Sequence, residues 1–83
     1  MRIALDYDGT FTRAPQLWAK VVNLIKDDGH DVFIVTNRYP DAEIQVSGLN
    51  VIYTSMEPKG AYMARCGVPV DIWIDDHPNR IFQ

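Results

Sequence analysis

Hydrophobic residues occur along the chain in short runs of strand length, which alternate with longer segments of helical periodicity. The short runs predict four strands: "RIALDY", "DVFIVT", "LNVIYTS" and "DIWID". The second run is almost continuously apolar, which is typical of a strand covered on both faces.

The segments between these runs predict three helices. In the first, "PQLWAKVVNLIKDDG", apolar residues recur at helical spacing: Leu17, Val21 and Leu24, with Trp18, Val22 and Ile25 beside them. Pro15 suits its first turn, and Gly29 suits the position just past its end. A second, short helix is expected from about Pro40, ending near Gly48. The third is expected over "EPKGAYMARCG".

The resulting order, βαβαβαβ, implies a parallel sheet with right-handed crossovers. We therefore expect an α/β fold: a small three-layer α/β/α Rossmann-like sandwich around a parallel sheet of about four strands. Residues 1–83 would form a single domain. In such sheets ligands bind beyond the carboxyl ends of the strands. Function is therefore to be sought in the residues that follow each strand.

Polar residues capable of chemistry follow the predicted strands. They are Asp6 and Asp8 after the first, Thr36, Asn37 and Arg38 after the second, Lys59 at the start of the last helix, and Asp75 and Asp76 after the fourth strand. Converging carboxylates suit a hard cation such as Mg²⁺, which prefers oxygen ligands. The Lys59 ammonium and the Thr36 hydroxyl are suitable phosphate ligands. A metal, phosphate-binding donors and a carboxylate free to attack together indicate phosphoryl transfer.

Four segments of the chain, "LDYDGT", "VFIVTN", "PKG" and "IWIDD", resemble in order the four motifs of the haloacid dehalogenase-like (HAD) hydrolase superfamily. The resemblance extends from about Arg2 to Asp76. It implies a HAD-like fold in which Asp6 is the nucleophile that forms an aspartyl-phosphate. It also implies that Asp8 is the general acid for the leaving oxygen and then the base for the attacking water. Carboxylates serve both purposes in other enzymes.

The resemblance further implies how phosphate is bound. Thr36 would hydrogen-bond a phosphoryl oxygen, and Lys59 would neutralise charge on the phosphate and on the nucleophile. Asn37 and Arg38, which follow Thr36 directly, are further candidates for substrate binding. For Arg38 a surface salt bridge is the alternative.

The same resemblance implies a magnesium site. Its ligands would be the Asp6 carboxylate, the Asp8 backbone carbonyl, and Asp75 or Asp76. The sequence leaves open which of Asp75 and Asp76 binds the metal directly. The other would act through water or steady Lys59.

Members of this superfamily usually carry a cap domain, and this chain has no room for one between the motifs. Only 27 residues separate Asp8 from Thr36, and 22 separate Thr36 from Lys59. We therefore expect a capless member with an open cleft. Water exclusion would then depend on the substrate or on another subunit. The fourth strand would leave an exposed sheet edge, so a homo-oligomer is possible.

Composition narrows the function classes. With 47% hydrophobic and 23% charged residues, the chain is typical of a globular protein. The net charge of −3 and the lack of a basic block argue against stable nucleic-acid binding, although a nucleic-acid end remains a possible substrate. The apolar runs are too short to span a membrane. The single cysteine, Cys66, is expected to be buried and fits a reducing, cytoplasmic setting.

The sequence therefore predicts a Mg²⁺-dependent phosphatase that hydrolyses phosphomonoesters of a small molecule or of a nucleic-acid end. Two alternatives stay open. One is a phosphotransferase, in which an acceptor other than water reaches Asp6. The other is a non-catalytic module of the same fold that binds metal or phosphate. A response-regulator receiver is excluded by motif order, since Thr36 follows the second strand.

Overall fold

The fold is built on a four-stranded parallel sheet, seen in a computed structural model that describes residues 1–82. The strands are β1 (Arg2–Leu5), β2 (Asp31–Thr36), β3 (Val51–Tyr53) and β4 (Ile72–Ile74). Their order is β3-β2-β1-β4, so β1 lies between β2 and β4. Ile3 of β1 is in register with Val32 on one side and Ile72 on the other. The predicted parallel sheet and the exposed edge at β4 are confirmed.

Two α-helices connect the strands, α1 (Pro15–Asp27) and α2 (Lys59–Arg65). Pro15 occupies the first turn of α1, where its missing N–H costs nothing. Two short 3₁₀ turns, Phe11–Arg13 and Pro78–Arg80, were not predicted. Within the described chain, neither helix is long and apolar enough to cross a membrane.

The helix expected from about Pro40 to Gly48 is absent, and this prediction was wrong. Residues 37–50 form an irregular loop. The Tyr53 hydroxyl accepts the N–H of Ile44 at 2.8 Å, which occupies a donor that a helix would need. Ile44 is buried and Val46 packs against the core, and this two-residue spacing does not match a helical period. A helix this short has little stability of its own, so these tertiary contacts prevail.

One core cluster joins α1 to the sheet. It contains Ile3, Leu5, Val22, Val32 and Ile34, with Trp18 and Ile25 packed against it. The other half of the predicted helical stripe is not buried. Leu17 is 54% exposed and Leu24 is 70% exposed. Their side of the helix lies beyond the narrow face that a four-stranded sheet covers.

A second cluster joins Met63 of α2 to the alternate side chains of the same strands, Ala4, Phe33 and Val35. Because successive strand residues point to opposite faces, α2 packs on the face away from α1. The prediction that β2 is covered on both faces is confirmed. Cys66, expected to be buried, follows α2 and is exposed, so that prediction was wrong.

Candidate active site

The carboxyl ends of the three strands β1, β2 and β4 meet around a cleft of about 150 Å³. Its lining consists of Asp6, Asp8, Thr36, Asn37, Lys59, Asp75, Asp76, His77 and Arg80. Every site residue expected from the sequence lines this cleft except Arg38, which reaches it by contacting Asp8. The strand order explains the convergence, because the loops after β2 and β4 flank the loop after β1.

Lys59 lies between two carboxylates at the bottom of the cleft. Its Nζ donates to Asp6 Oδ1 at 2.5 Å and to Asp75 Oδ2 at 2.7 Å. All three side chains are less than a tenth exposed. A buried ammonium is tolerated only when it is well paired, so the two aspartates and Lys59 stabilise one another's charge.

Thr10 joins the loops after β1 and β4. Its Oγ1 lies 3.0 Å from Asp6 Oδ2 and 3.3 Å from Asp76 Oδ1, and it accepts the Asp76 N–H at 3.2 Å. With a single proton, the hydroxyl donates to one carboxylate at a time. Sequence reasoning assigned Thr10 no role, although it ends the quoted "LDYDGT" motif.

Asp6, Asp75 and Asp76 each place one carboxyl oxygen within 4.8 Å of those of the other two. Burial raises the pKa of Asp6 from 3.8 to about 6 against the opposing effect of Lys59, and the neighbouring Asp76 and Asp75 add to the rise. Asp6 therefore holds a proton more readily than an isolated aspartate. A purely oxygen-donor set that carries excess negative charge fits a hard divalent cation.

Gly9 allows the two acidic loops to approach. It has a φ of +83°, and a Cβ built there would lie 2.5 Å from Asp76 Oδ2. Gly29 has the same φ with nothing within 4 Å of its Cβ position, so it serves as a matched control.

We expect Gly9→Ala to destabilise the fold more than Gly29→Ala does. Both variants bear the left-handed backbone cost of about 1–2 kcal/mol, and only Gly9→Ala also displaces Asp76. Urea denaturation of the two variants beside the wild type measures the difference. Equal losses would show that the approach of Gly9 to Asp76 contributes nothing to stability.

Asp8 is held at the cleft mouth by Arg38. The guanidinium donates from Nε to Oδ2 at 2.8 Å and from Nη2 to Oδ1 at 2.7 Å, and it also lies over the Tyr7 ring. This pairing with Arg38 keeps the pKa of Asp8 below its usual value. In this arrangement both carboxylate oxygens of Asp8 are paired with Arg38.

Replacing Arg38 by glutamine is expected to raise the pKa of Asp8, because the paired cation is lost. Because the pKa of Asp8 is lower in the folded chain than in the unfolded chain, the ion pair stabilises the fold at pH values above the unfolded-state pKa. That stabilisation is lost as pH falls through the folded-state pKa. The variant should lose less stability on acidification. A carboxyl-carbon NMR titration measures the pKa of Asp8 directly. Arg65→Gln, which breaks the exposed pair with Glu57, is the control and should leave it unchanged.

Two hydrogen bonds hold the loop after β2. Thr36 is fully buried, and its Oγ1 accepts the backbone N–H of Arg38 at 3.3 Å. Asn37 Oδ1 accepts a hydrogen bond from the Thr54 hydroxyl at 2.9 Å, which ties this loop to the end of β3. Thr36 and Asn37 therefore face the cleft from a rigid support.

Two cleft residues follow β4, beyond the predicted metal ligands. The N–H of His77 donates to Asp75 Oδ1 at 2.9 Å. Arg80 was not predicted as a site residue. It reaches the cleft because the Pro78–Arg80 turn folds the chain back.

Comparison of the chain with protein-family models, curated proteins and solved structures found no match. The interpretation of the site therefore depends on its own residues and geometry.

Proposed function

We propose that the protein is a Mg²⁺-dependent phosphatase that hydrolyses phosphomonoesters through an aspartyl-phosphate on Asp6. The observation that supports this most is the meeting of Asp6, Asp75, Asp76 and Lys59 in one small cleft. We also propose that the fold is a three-layer Rossmann-like sandwich of the HAD type without a cap. The two core clusters on opposite faces of the sheet support it.

In the first step, a carboxylate oxygen of Asp6 attacks phosphorus and the bond to the leaving oxygen breaks. Lys59, 2.5 Å from Asp6 and 2.7 Å from Asp75, holds the nucleophile in place and offsets the charge on the phosphoryl oxygens. Thr36 offers its hydroxyl to a phosphoryl oxygen from the β2 side of the cleft. Water then attacks the phosphorus of the aspartyl-phosphate, and phosphate leaves.

Asp8 would move the proton in both steps, and for this it must be released by Arg38. An incoming phosphate competes for the guanidinium, because Arg binds phosphate oxygens as readily as carboxylates. Once Arg38 turns to the phosphate, the pKa of Asp8 is no longer held down. Asp8 then takes up a proton from solvent, which the negative charge of the neighbouring phosphate favours, gives it to the leaving oxygen and later takes a proton from the attacking water.

Asp6 and Asp76 are the residues best placed to hold Mg²⁺. Asp75 is committed through Oδ2 to Lys59 and through Oδ1 to the His77 N–H. Asp76 is more exposed, and its carboxylate lies beside Asp6, the Thr10 hydroxyl and, at 3.5 Å, His77. We therefore assign Asp76 to the metal and Asp75 to positioning Lys59. When bound, Mg²⁺ would neutralise charge on the phosphoryl group.

We expect Mg²⁺ affinity to fall as pH drops below about 6, because the metal must displace the proton that Asp6 holds with a pKa of about 6. The limiting slope is about tenfold per pH unit for one released proton. Calorimetric titration with Mg²⁺ at a series of pH values measures it. Affinity that stays constant between about pH 5 and 7 would contradict Asp6 as a ligand.

The proposal is tested by phosphate release from an aryl phosphate, nucleotides, sugar phosphates and end-phosphorylated oligonucleotides, with Mg²⁺ and with chelator. Added alcohol or nucleoside acceptors separate hydrolysis from phosphotransfer, since a transferase forms a new ester. No release from any substrate, with Mg²⁺ binding intact, would support the non-catalytic module instead.

A further inference from the structure

The cleft is too small to enclose a whole substrate. Its volume of about 150 Å³ is below the roughly 300–1,000 Å³ of sites that surround a small-molecule ligand. It suits a phosphoryl group beside a metal ion. The rest of a phosphomonoester must therefore pass through the opening and meet whatever side chains stand there.

Two arginines stand at this opening, on opposite sides of Asp6. Arg38 follows β2 and Arg80 follows β4, and β1 lies between these two strands. Arg38 is occupied by both oxygens of Asp8. Arg80 lines the cleft and is exposed, and its side chain has no hydrogen bond or ion pair to any residue of the described range 1–82.

The charges in the cleft favour a role for this cation. Four carboxylates line it, those of Asp6, Asp8, Asp75 and Asp76, against the ammonium of Lys59. Yet Arg80 forms no ion pair with any of them, so its guanidinium stays available to an anion from solvent. Guanidinium groups bind phosphate with two parallel hydrogen bonds, which gives both affinity and orientation.

We propose that Arg80 is a specificity-determining residue that binds a second phosphate of the substrate. The first phosphate enters the cleft, and a second one on the same molecule reaches Arg80 at the mouth. This inference rests on the proposed function only for what happens to the first phosphate. The shared chemistry is that of a nucleoside bisphosphate or of an oligonucleotide with a terminal phosphate.

The test compares substrates that differ by one phosphate, at constant ionic strength with Mg²⁺. A nucleoside monophosphate is set against its bisphosphate, and against a dinucleotide with the same terminal phosphate. We expect the wild type to prefer the substrates that carry a second phosphate by about tenfold in kcat/KM, as for a hydrogen-bonded charged group. Arg80→Gln should abolish this preference and Arg80→Lys should keep part of it. Lys20→Gln, the same charge change at an exposed residue of α1, should leave it intact.

The same comparison is made by calorimetric binding in an Asp6→Asn background, which does not depend on turnover. One outcome is a binding preference that depends on Arg80, with no turnover by the wild type. That result would overturn the proposed phosphatase activity and support the second phosphate site. Two other outcomes would overturn the second phosphate site. In one, turnover or binding shows no preference for a second phosphate, and in the other, Arg80→Gln leaves the preference unchanged. A preference for the bisphosphate alone identifies a small metabolite as substrate, and one for the dinucleotide alone identifies a nucleic-acid end.

Discussion

Asp6→Asn is expected to lower the Mg²⁺-dependent rate of phosphate release by on the order of 10⁴-fold or more, as for the loss of other catalytic nucleophiles. The amide cannot form the acyl phosphate, and the second half-reaction has no intermediate to act on. Asp27→Asn, the same exchange at an exposed position of α1, should release phosphate at the wild-type rate. A purified Asp6→Asn protein with near wild-type activity would remove Asp6 from the mechanism.

The fold of Asp6→Asn should be retained. Asparagine has the same shape and keeps an oxygen for the Thr10 hydroxyl, while Lys59 keeps its contact with Asp75.

In the wild type, the folded chain binds the Asp6 proton more tightly than the unfolded chain. Its contribution to the free energy of unfolding therefore falls as pH rises from 3.8 to about 6. Metal-free Asp6→Asn should lack this slope, which urea denaturation across that pH range measures.

Lys59→Met is expected to cause the largest loss of stability. It leaves Asp6 and Asp75 buried without their common cation, and breaking a buried pair in this way costs about 3–5 kcal/mol. For a domain of this size the melting temperature should fall by roughly 12 °C or more. Activity should be lost as well, because the nucleophile and the phosphate lose the same positive charge.

The cause of the Lys59→Met loss can be separated from lost packing by its pH dependence. Without the ammonium, which lowers the pKa of Asp6 in the wild type, the Asp6 carboxyl holds its proton more tightly in the folded state, so the deficit should shrink as pH falls. A deficit that does not change with pH would indicate lost packing instead. Lys20→Met, at an exposed position of α1, controls for the change in net charge and should melt close to the wild type.

The sheet and the location of the cleft could be predicted because both depend on local pattern. Apolar runs alternate with helical segments, which forces a parallel sheet, and a parallel sheet gathers its carboxyl ends at one edge. Asp6, Thr36 and Asp75 each come within a residue of a strand end, so their meeting follows from topology. Lys59 begins a helix in the sequence and in the structure.

Other features of the fold and of the cleft depend on tertiary contacts that no local sequence pattern encodes. The loop of residues 37–50 is irregular because Tyr53, nine residues beyond Ile44, takes its N–H. Leu17 has the same helical spacing as its neighbours, yet it remains exposed because the sheet has only four strands to cover. The position of Arg80 depends on a turn that follows the last strand.

The ion pair between Asp8 and Arg38 is another contact that no local sequence pattern encodes. The two residues are 30 positions apart, and each alone is typical of a solvated loop. Their pairing holds the pKa of Asp8 below its usual value. The sequence predicted a salt bridge as one role of Arg38, but it could not identify Asp8 as the partner.

The most direct test of the central claim is acid quenching of the wild type during turnover of a ³²P-labelled substrate with Mg²⁺. Acid preserves acyl phosphates, so label bound to the protein reports the covalent intermediate. We predict label that hydroxylamine removes and that Asp6→Asn lacks, while Asp27→Asn retains it. Label that persists in Asp6→Asn, or phosphate release with no protein-bound label at any quench time, would contradict an aspartyl-phosphate on Asp6.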